Sequence, residues 1–248
     1  MFKKIKDKLY SLKTLYRDIF CYPKNKINPA DNSYDKYWAE RRFGGKASLS
    51  DWQKDRADII LSVIKNYKKI TLGDIGCGDG MVLKYLSDKA DVSLVVGYDS
   101  SELILERAKS LGVQTAKLDI NNKKDLSEIK ENDFNLLLEV LEHIPSAEKV
   151  LKTVYNKSKE GVFFSFPNSG YFTYRLRLLF GKFPSQWAVS PGEHVRFWTN
   201  ADLKWWLNAQ GYKNYNIFYY QGAPILNKLW PPLFTAGFVV YLPKHKNN

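Results

Sequence analysis

Apolar positions recur at steps of three or four over residues 2–20. Phe2, Ile5, Leu9, Leu12, Tyr16 and Ile19 predict one amphipathic helix whose polar face is basic. Pro23 and Pro29, with Asn25 and Asn28, mark a linker behind it. From Ile70 the pattern changes. Short apolar runs at Ile70–Ile75, Leu94–Tyr98, Val113–Leu118, Phe134–Val140 and Val162–Phe166 read as buried strands. Helical stretches at 80–89, 101–111 and 146–158 separate them, which predicts an α/β fold with a mostly parallel sheet covered on both faces. A further helix is expected at 201–210, with Asn200 as N-cap and Gly211 just past its end. Tyr215–Tyr220 and Gly237–Leu242 flank a Pro-rich loop at 224–232. Paired as a hairpin, they place one antiparallel strand in the sheet.

A chain of 248 residues, 44% hydrophobic, can bury one full core. The expected organisation is a basic helix and linker over 1–30 and a single domain over 31–248, with a lid inserted at about 169–199. No apolar run reaches the length of a membrane span, and the N-terminus lacks the continuous apolar stretch of a secretory signal. Two cysteines, Cys21 and Cys77, make no disulfide framework and fit a reducing cytoplasm.

Charge adds a second theme. The net charge is +12, and residues 1–30 supply half of it with eight Lys/Arg against two Asp. Such a surplus suits a membrane surface or a partner protein at the N-terminal helix, and anionic small molecules or RNA elsewhere. A helix packed on the protein's own core is the plain alternative.

The strongest local signal is Leu72-Gly-Asp-Ile-Gly-Cys-Gly-Asp-Gly80, where a strand ends, the chain turns through Gly76, Gly78 and Gly80, and a helix starts at Met81. Glycines let a ligand approach the backbone, and the helix start offers free N–H groups. The spacing G-x-G-x-G differs from the dinucleotide fingerprint G-x-G-x-x-G. Asp74 would repel a pyrophosphate, yet it can help hold the ammonium of an amino-acid moiety. About twenty residues on, Val95-Val-Gly-Tyr-Asp99 ends a strand in an acid able to accept both ribose hydroxyls. Asp119, in Ala116-Lys-Leu-Asp-Ile120, is placed for an adenine amino group or for a strand-end turn.

Together these motifs make the chain from about 34 to 222 resemble the class I S-adenosylmethionine (SAM) dependent methyltransferases, with their Rossmann-like sheet. The resemblance implies a cofactor site of Asp74, Gly76, Cys77, Gly78, Asp79 and Gly80 for the methionine half, Asp99 and Ser100 for the ribose, and Asp119 and Ile120 for the adenine. Glu139 would border the same site. Tyr34-Asp-Lys-Tyr-Trp38 with Arg41 resembles the family's N-terminal cap, and Arg56 would meet the methionine carboxylate or form a surface salt bridge.

Two further resemblances bear on the acceptor. Val162-Phe-Phe-Ser-Phe-Pro-Asn-Ser-Gly170, with Arg175-Leu-Arg177 and His194, is similar to the MetW-like proteins, which implies a SAM-binding partner protein without catalysis. Glu139-Val-Leu-Glu142-His143-Ile-Pro145 resembles the ubiquinone-biosynthesis O-methyltransferases and the plant small-RNA 2′-O-methyltransferase. That likeness implies a metal site of Glu139, Glu142, His143 and His194, suited to Mg²⁺, Mn²⁺ or Fe²⁺. Positions i, i+3 and i+4 share a face if the segment is helical. A cation would lower the pKa of an acceptor oxygen; without one, His143 or His194 would act as general base, with Glu142 beside them. Aromatics and cations over 171–199, including Tyr174, Arg175, Arg177, Lys182 and Trp187, suit an anionic acceptor with a flat or apolar part. Leu176, Leu178, Leu179, Trp205 and Trp206 read as packing. The leading expectation is an O-methyltransferase for a small phosphorylated or sugar-linked acceptor, with RNA 2′-O-methylation as the alternative.

Overall fold

The structure, a computed structural model, describes residues 12–22, 48–190 and 192–244. The first ten residues of the expected N-terminal helix, the 23–30 linker and the cap segment around Tyr34–Arg41 lie outside them.

Seven strands form one sheet: β1 Ile70–Ile75, β2 Val92–Asp99, β3 Gln114–Lys117, β4 Asn132–Leu138, β5 Ser158–Pro167, β6 Asn216–Tyr220 and β7 Gly237–Pro243. Their order is β3-β2-β1-β4-β5-β7-β6. Neighbours are parallel as far as β5, and β7 runs antiparallel between β5 and β6. The expected single antiparallel strand is therefore β7. Alternation along β4 shows why the strands read as continuous apolar runs. Phe134, Leu136 and Leu138 enter one core cluster while Leu137 enters the other, so both faces are dry.

Helices α1 Leu12–Phe20, α2 Asp51–Ile64, α3 Met81–Ser87 and α4 Glu102–Ser110 open the chain; α5 Lys123–Glu128, α6 Ala147–Asn156, α7 Phe172–Leu179, α8 Ser185–Val189 and α9 Asn200–Ala209 follow. One face of the sheet is covered by α2, α3 and α4, through residues such as Ile60, Leu83 and Leu105. The other is covered by α5, α6 and α9, through Leu126, Leu151 and Leu203. Ser50 starts α2 with a capping box closed by Gln53.

Several local expectations need correction. The N-cap of α9 is Thr199, whose hydroxyl accepts from the Asp202 N–H in a capping box; Asn200 is the first helical residue and accepts from the Tyr219 hydroxyl. The Pro-rich loop contains two single-turn helices, α10 Leu226–Leu229 and α11 Pro231–Phe234. Of the leucines assigned to packing, Leu178 and Leu179 are exposed, and Trp205 is exposed while Trp206 is core. Between Asn168 and Trp198 the chain leaves the sheet to form α7 and α8. A bridge between those two residues, with the Ser169 N–H donating to the Trp198 carbonyl at 3.0 Å, pins the ends of this excursion together.

Candidate active site

The glycine turn sits at the carboxyl ends of β1 and β2. Gly76, Gly78 and Gly80 have φ of 82°, 53° and 72°, which side chains with a Cβ adopt only under strain. A Cβ at Gly76 would stand 2.6 Å from Val140 Cγ2, and one at Gly80 2.8 Å from the Ala108 Cβ. Backbone conformation and packing thus require glycine at both positions. Asp99, at the end of β2, accepts from the Gly78 N–H at 3.0 Å and the Ser101 N–H at 3.1 Å. These two bonds lock it beside the turn. Ser100, next in the chain, is exposed.

Asp74 is 2% exposed, and its Oδ1 has no hydrogen-bond partner. Burial, then the charge of Asp99, pushes this carboxyl up to about 7 against the pull of Arg56. A buried acceptor left open in this way fits an incoming ammonium, so the turn fits the methionine end of SAM. The buried Cys77 thiol is held well above its ordinary pKa, first by burial and then by Asp74 and Asp99. It lines the turn as a neutral side chain. Asp79 is buried, and its Oδ1 accepts from the Met81 N–H at 3.3 Å. Asp119 is exposed and accepts from the Asn121 N–H at 2.9 Å, the strand-end turn; Ile120 packs against the core beside it.

Beyond β4 the chain turns sharply. Glu139 has φ 56°, in the left-handed region, and only then does a short 3-10 turn, Leu141–His143, begin. The turn places Glu142 and His143 together, but the break at Glu139 removes that residue from their face. Glu139 Oε1 instead meets Arg56 Nη1 at 2.8 Å and accepts from the hydroxyls of Ser165 at 2.9 Å and Tyr220 at 3.0 Å. Arg56, on α2, is 8% exposed, so this is a buried pair and no surface salt bridge. Burial opposes its charge, yet Glu139 and Tyr220 hold it more firmly protonated than usual. Sequence reasoning missed Ser165 and Tyr220. The lone serine within Phe163-Phe-Ser-Phe166 was the available signal.

Glu142, His143 and His194 each bring a ligand atom within 4.8 Å of the others. Glu142 is 1% exposed, and neither carboxylate oxygen has a hydrogen-bond partner. Burial and then the charge of Glu139 push it well above the usual carboxylate range. The His143 and His194 rings meet edge to face at 4.7 Å. His143 Nδ1 is held by the Glu193 carbonyl, the kind of partner that fixes the ring of metal-binding imidazoles. Burial, then His143, lowers His194 to about 4, so its ring is neutral, the form that can act as ligand or base. The loop bearing His194 is tied down: the Val195 and Arg196 N–H groups donate to the Glu142 carbonyl at 2.8 and 3.0 Å. An open, buried carboxylate with two imidazoles fits a divalent cation.

Arg177 is fully buried: Nη1 donates to the carbonyls of Asp18, Ile19 and Cys21, Nε donates to that of Phe183, and Nη2 has no hydrogen-bond partner.

Sheet order, glycine turn and strand-end acids define a class I SAM-dependent methyltransferase. The methyltransferase-domain family matches residues 28–217, and the chain belongs to that family. It is 27% identical over 174 residues to the mitochondrial ubiquinone biosynthesis O-methyltransferase of Candida albicans, covering 66% of this chain and 52% of that protein. It is 28% identical over 214 residues to the small RNA 2′-O-methyltransferase of Schizosaccharomyces pombe, covering 72% and 56%. The chain thus spans about half the length of the curated relatives it matches. A SAM-dependent methyltransferase from Archaeoglobus fulgidus shares the fold with a TM-score of 0.60 at 18% identity, over 86% of this chain and 100% of that one. The small RNA methyltransferase HEN1 shares it with a TM-score of 0.55 at 22% identity, over 82% and 27%. Among the described residues no helix is long and apolar enough to cross a membrane.

Proposed function

We propose that the protein moves the methyl group of SAM to a hydroxyl oxygen of a small anionic acceptor, phosphorylated or sugar-linked, beside a divalent cation held by Glu142, His143 and His194. The observation that carries this reading is Glu142: a carboxylate sealed from water with both oxygens unpartnered, facing two imidazoles. Leaving it so costs stability unless a cation completes it. Glu139 belongs to the cofactor side, where it orders Arg56 and Tyr220.

SAM carries its own activation in the sulfonium, so the protein must align the acceptor and take its proton. A divalent cation, when bound, supplies positive charge that eases ionisation of the acceptor hydroxyl. The C–S bond breaks as the C–O bond forms, and the products are a methyl ether and S-adenosylhomocysteine. In a cation-free site the hydroxyl proton passes to an imidazole of the His143–His194 pair. A net charge of +12, and a stretch from 168 to 192 free of Asp and Glu, support an anionic acceptor. The O-methyltransferase names of the two curated relatives support oxygen as the target.

The test is a methyl-transfer screen with labelled SAM over hydroxylated acceptors, run with and without chelator, beside cation calorimetry on wild type and Glu142→Ala. Transfer indifferent to chelation and to Glu142→Ala removes the metal. A protein that binds SAM and transfers nothing is a MetW-like binding partner.

The small-RNA relative supports a second reading, 2′-O-methylation of RNA. It requires RNA binding that weakens steeply with salt. Absence of binding at low salt ends it.

A further inference from the structure

Helix α1 and helix α7 are fastened to each other by Arg177, and together they expose an apolar surface. The Arg177 guanidinium closes the carboxyl end of α1 through three carbonyls, at 2.9–3.1 Å, and lies 4.7 Å from the centre of the Tyr22 ring. Ile19 is the side chain that α1 buries. Its outer face carries Leu12, 85% exposed, and Tyr16, 62% exposed, one turn apart and so on the same side. The stripe continues across the junction. The Tyr16 and Phe20 rings are 5.3 Å apart, and Phe20 lies 5.0 Å from Phe180 just beyond α7. Leu179, 77% exposed, and Phe183, 54% exposed, extend it.

A row of exposed apolar side chains like this one marks a surface that something covers. The charges around this one indicate what does. Lys13 and Arg17 are exposed on α1, Arg17 paired with Asp18 at 3.0 Å; Lys182 sits 5.0 Å from the Tyr22 ring, and α7, α8 and the turn joining them contain no Asp or Glu. Lys3, Lys4, Lys6 and Lys8 precede α1 in the sequence. Apolar side chains ringed by cations are what an anionic lipid surface recognises, with Leu and Phe entering the acyl boundary and Lys or Arg meeting the headgroups. At the other end of α7, Phe234 of α11 lies 5.2 Å from Phe172. The same loop exposes Leu229 and Trp230, and Trp favours the headgroup level.

We infer that the α1–α7 unit adsorbs to anionic bilayers, lying on the surface without spanning it. Because α7 belongs to the excursion between Asn168 and Trp198 that ends beside the His194 loop, adsorption holds the acceptor side of the protein against the membrane. The inference stands on the exposed surface alone and does not depend on the identity of the acceptor.

The experiment is flotation of the full chain with vesicles of phosphatidylcholine alone or mixed with about one-third phosphatidylglycerol. The expected result is flotation with the anionic vesicles only, lost at high salt and lowered at least tenfold in Leu12→Glu and Leu179→Glu. Leu103→Glu, an exposed apolar site on α4 at the far edge of the sheet, should float like wild type. Sedimentation in the absence of lipid keeps the proposal distinct from self-association. A wild-type dimer that both patch variants convert to monomer would make the surface an interface between copies and overturn membrane docking. Equal flotation of wild type and both patch variants, or none with anionic vesicles, overturns it too.

Discussion

Arg56 and Glu139 meet 2.8 Å apart across the cofactor side of the sheet, one from α2 and the other from the left-handed turn that ends β4. The Arg56 side chain is 10% exposed and that of Glu139 26%, with the hydroxyls of Ser165 and Tyr220 donating to the same carboxylate oxygen. Removing one charge from a buried pair leaves the other uncompensated. Arg56→Met is expected to cost about 2–3 kcal/mol in urea denaturation, near the lower end for such pairs because Glu139 keeps its hydroxyl donors. Arg56→Met/Glu139→Gln should recover most of that loss. A double variant no more stable than the single one would show that the pair does not act as a unit.

Asp74 sets a pH dependence. Its carboxyl titrates near 7 in the folded protein because of burial and then Asp99, and near 4 in an unfolded chain. Between those values the folded state holds a proton that the unfolded state has lost. The SAM-free protein should therefore lose stability as pH rises from about 4 to about 7, and level off above. Asp74→Asn should flatten the curve and be more stable at pH 8. If the Asp74 carboxylate meets the SAM ammonium, SAM binding should strengthen in wild type as pH rises toward 7 and stay weak in the variant. Parallel stability curves for the two proteins would refute the assignment.

Gly97 on β2 is a packing requirement of the turn. A Cβ there would fall 2.7 Å from Cys77 Sγ and 3.3 Å from Val113 Cγ1. Gly97→Ala should cost about 1–3 kcal/mol and weaken SAM binding by displacing the turn. Adding Cys77→Ala removes the closest clash and should restore part of both losses, read by thermal denaturation and calorimetry.

Arg196, two residues after His194, is expected to hold the His194 loop in place through its side chain. Its guanidinium grips Glu148 with two bonds of 2.8 and 2.7 Å and donates to the Pro145 carbonyl. Glu148 also accepts from Trp206 Nε1 at 2.7 Å. The pair is half open to water, so Arg196→Ala should lower stability by only about 1 kcal/mol. Cation affinity should fall about 10- to 100-fold, as for other supports of ligating histidines. Unchanged cation affinity in a folded Arg196→Ala protein would deny this role.

The strands were legible because both sheet faces are buried, so each reads as an apolar run with little ambiguity. The glycine turn was legible for a different reason: Gly76 and Gly80 must be glycine on two independent grounds, conformation and clash. Helix α2 was harder to see. Its buried Ala57, Ile60 and Ile64 are interleaved with Asp51, Lys54, Asp55 and Asp58, and only Arg56 drew attention. Thr199-Asn-Ala-Asp202 carries a capping box one residue before the expected Asn200 cap. The metal set is what a family resemblance implies, and its members share a face only if the segment is helical. With φ 56°, Glu139 turns to Arg56, while Glu142 stays with the histidine pair. Tertiary contacts such as Arg177 to α1, across 156 to 159 residues, leave no local trace at all.

Insertion of β7 between β5 and β6 has a consequence for synthesis. The segment from β1 to β4 holds the glycine turn, Asp74, Asp99 and Glu139, and can pair as it leaves the ribosome, whereas β6 must wait for a strand made some twenty residues later. Until Gly237–Pro243 has emerged, one edge of β5 stands open, and Tyr220 cannot settle over Glu139. A half-made chain thus carries its glycine turn before Tyr220 can reach Glu139, and arrested chains of the two lengths should differ in just that respect.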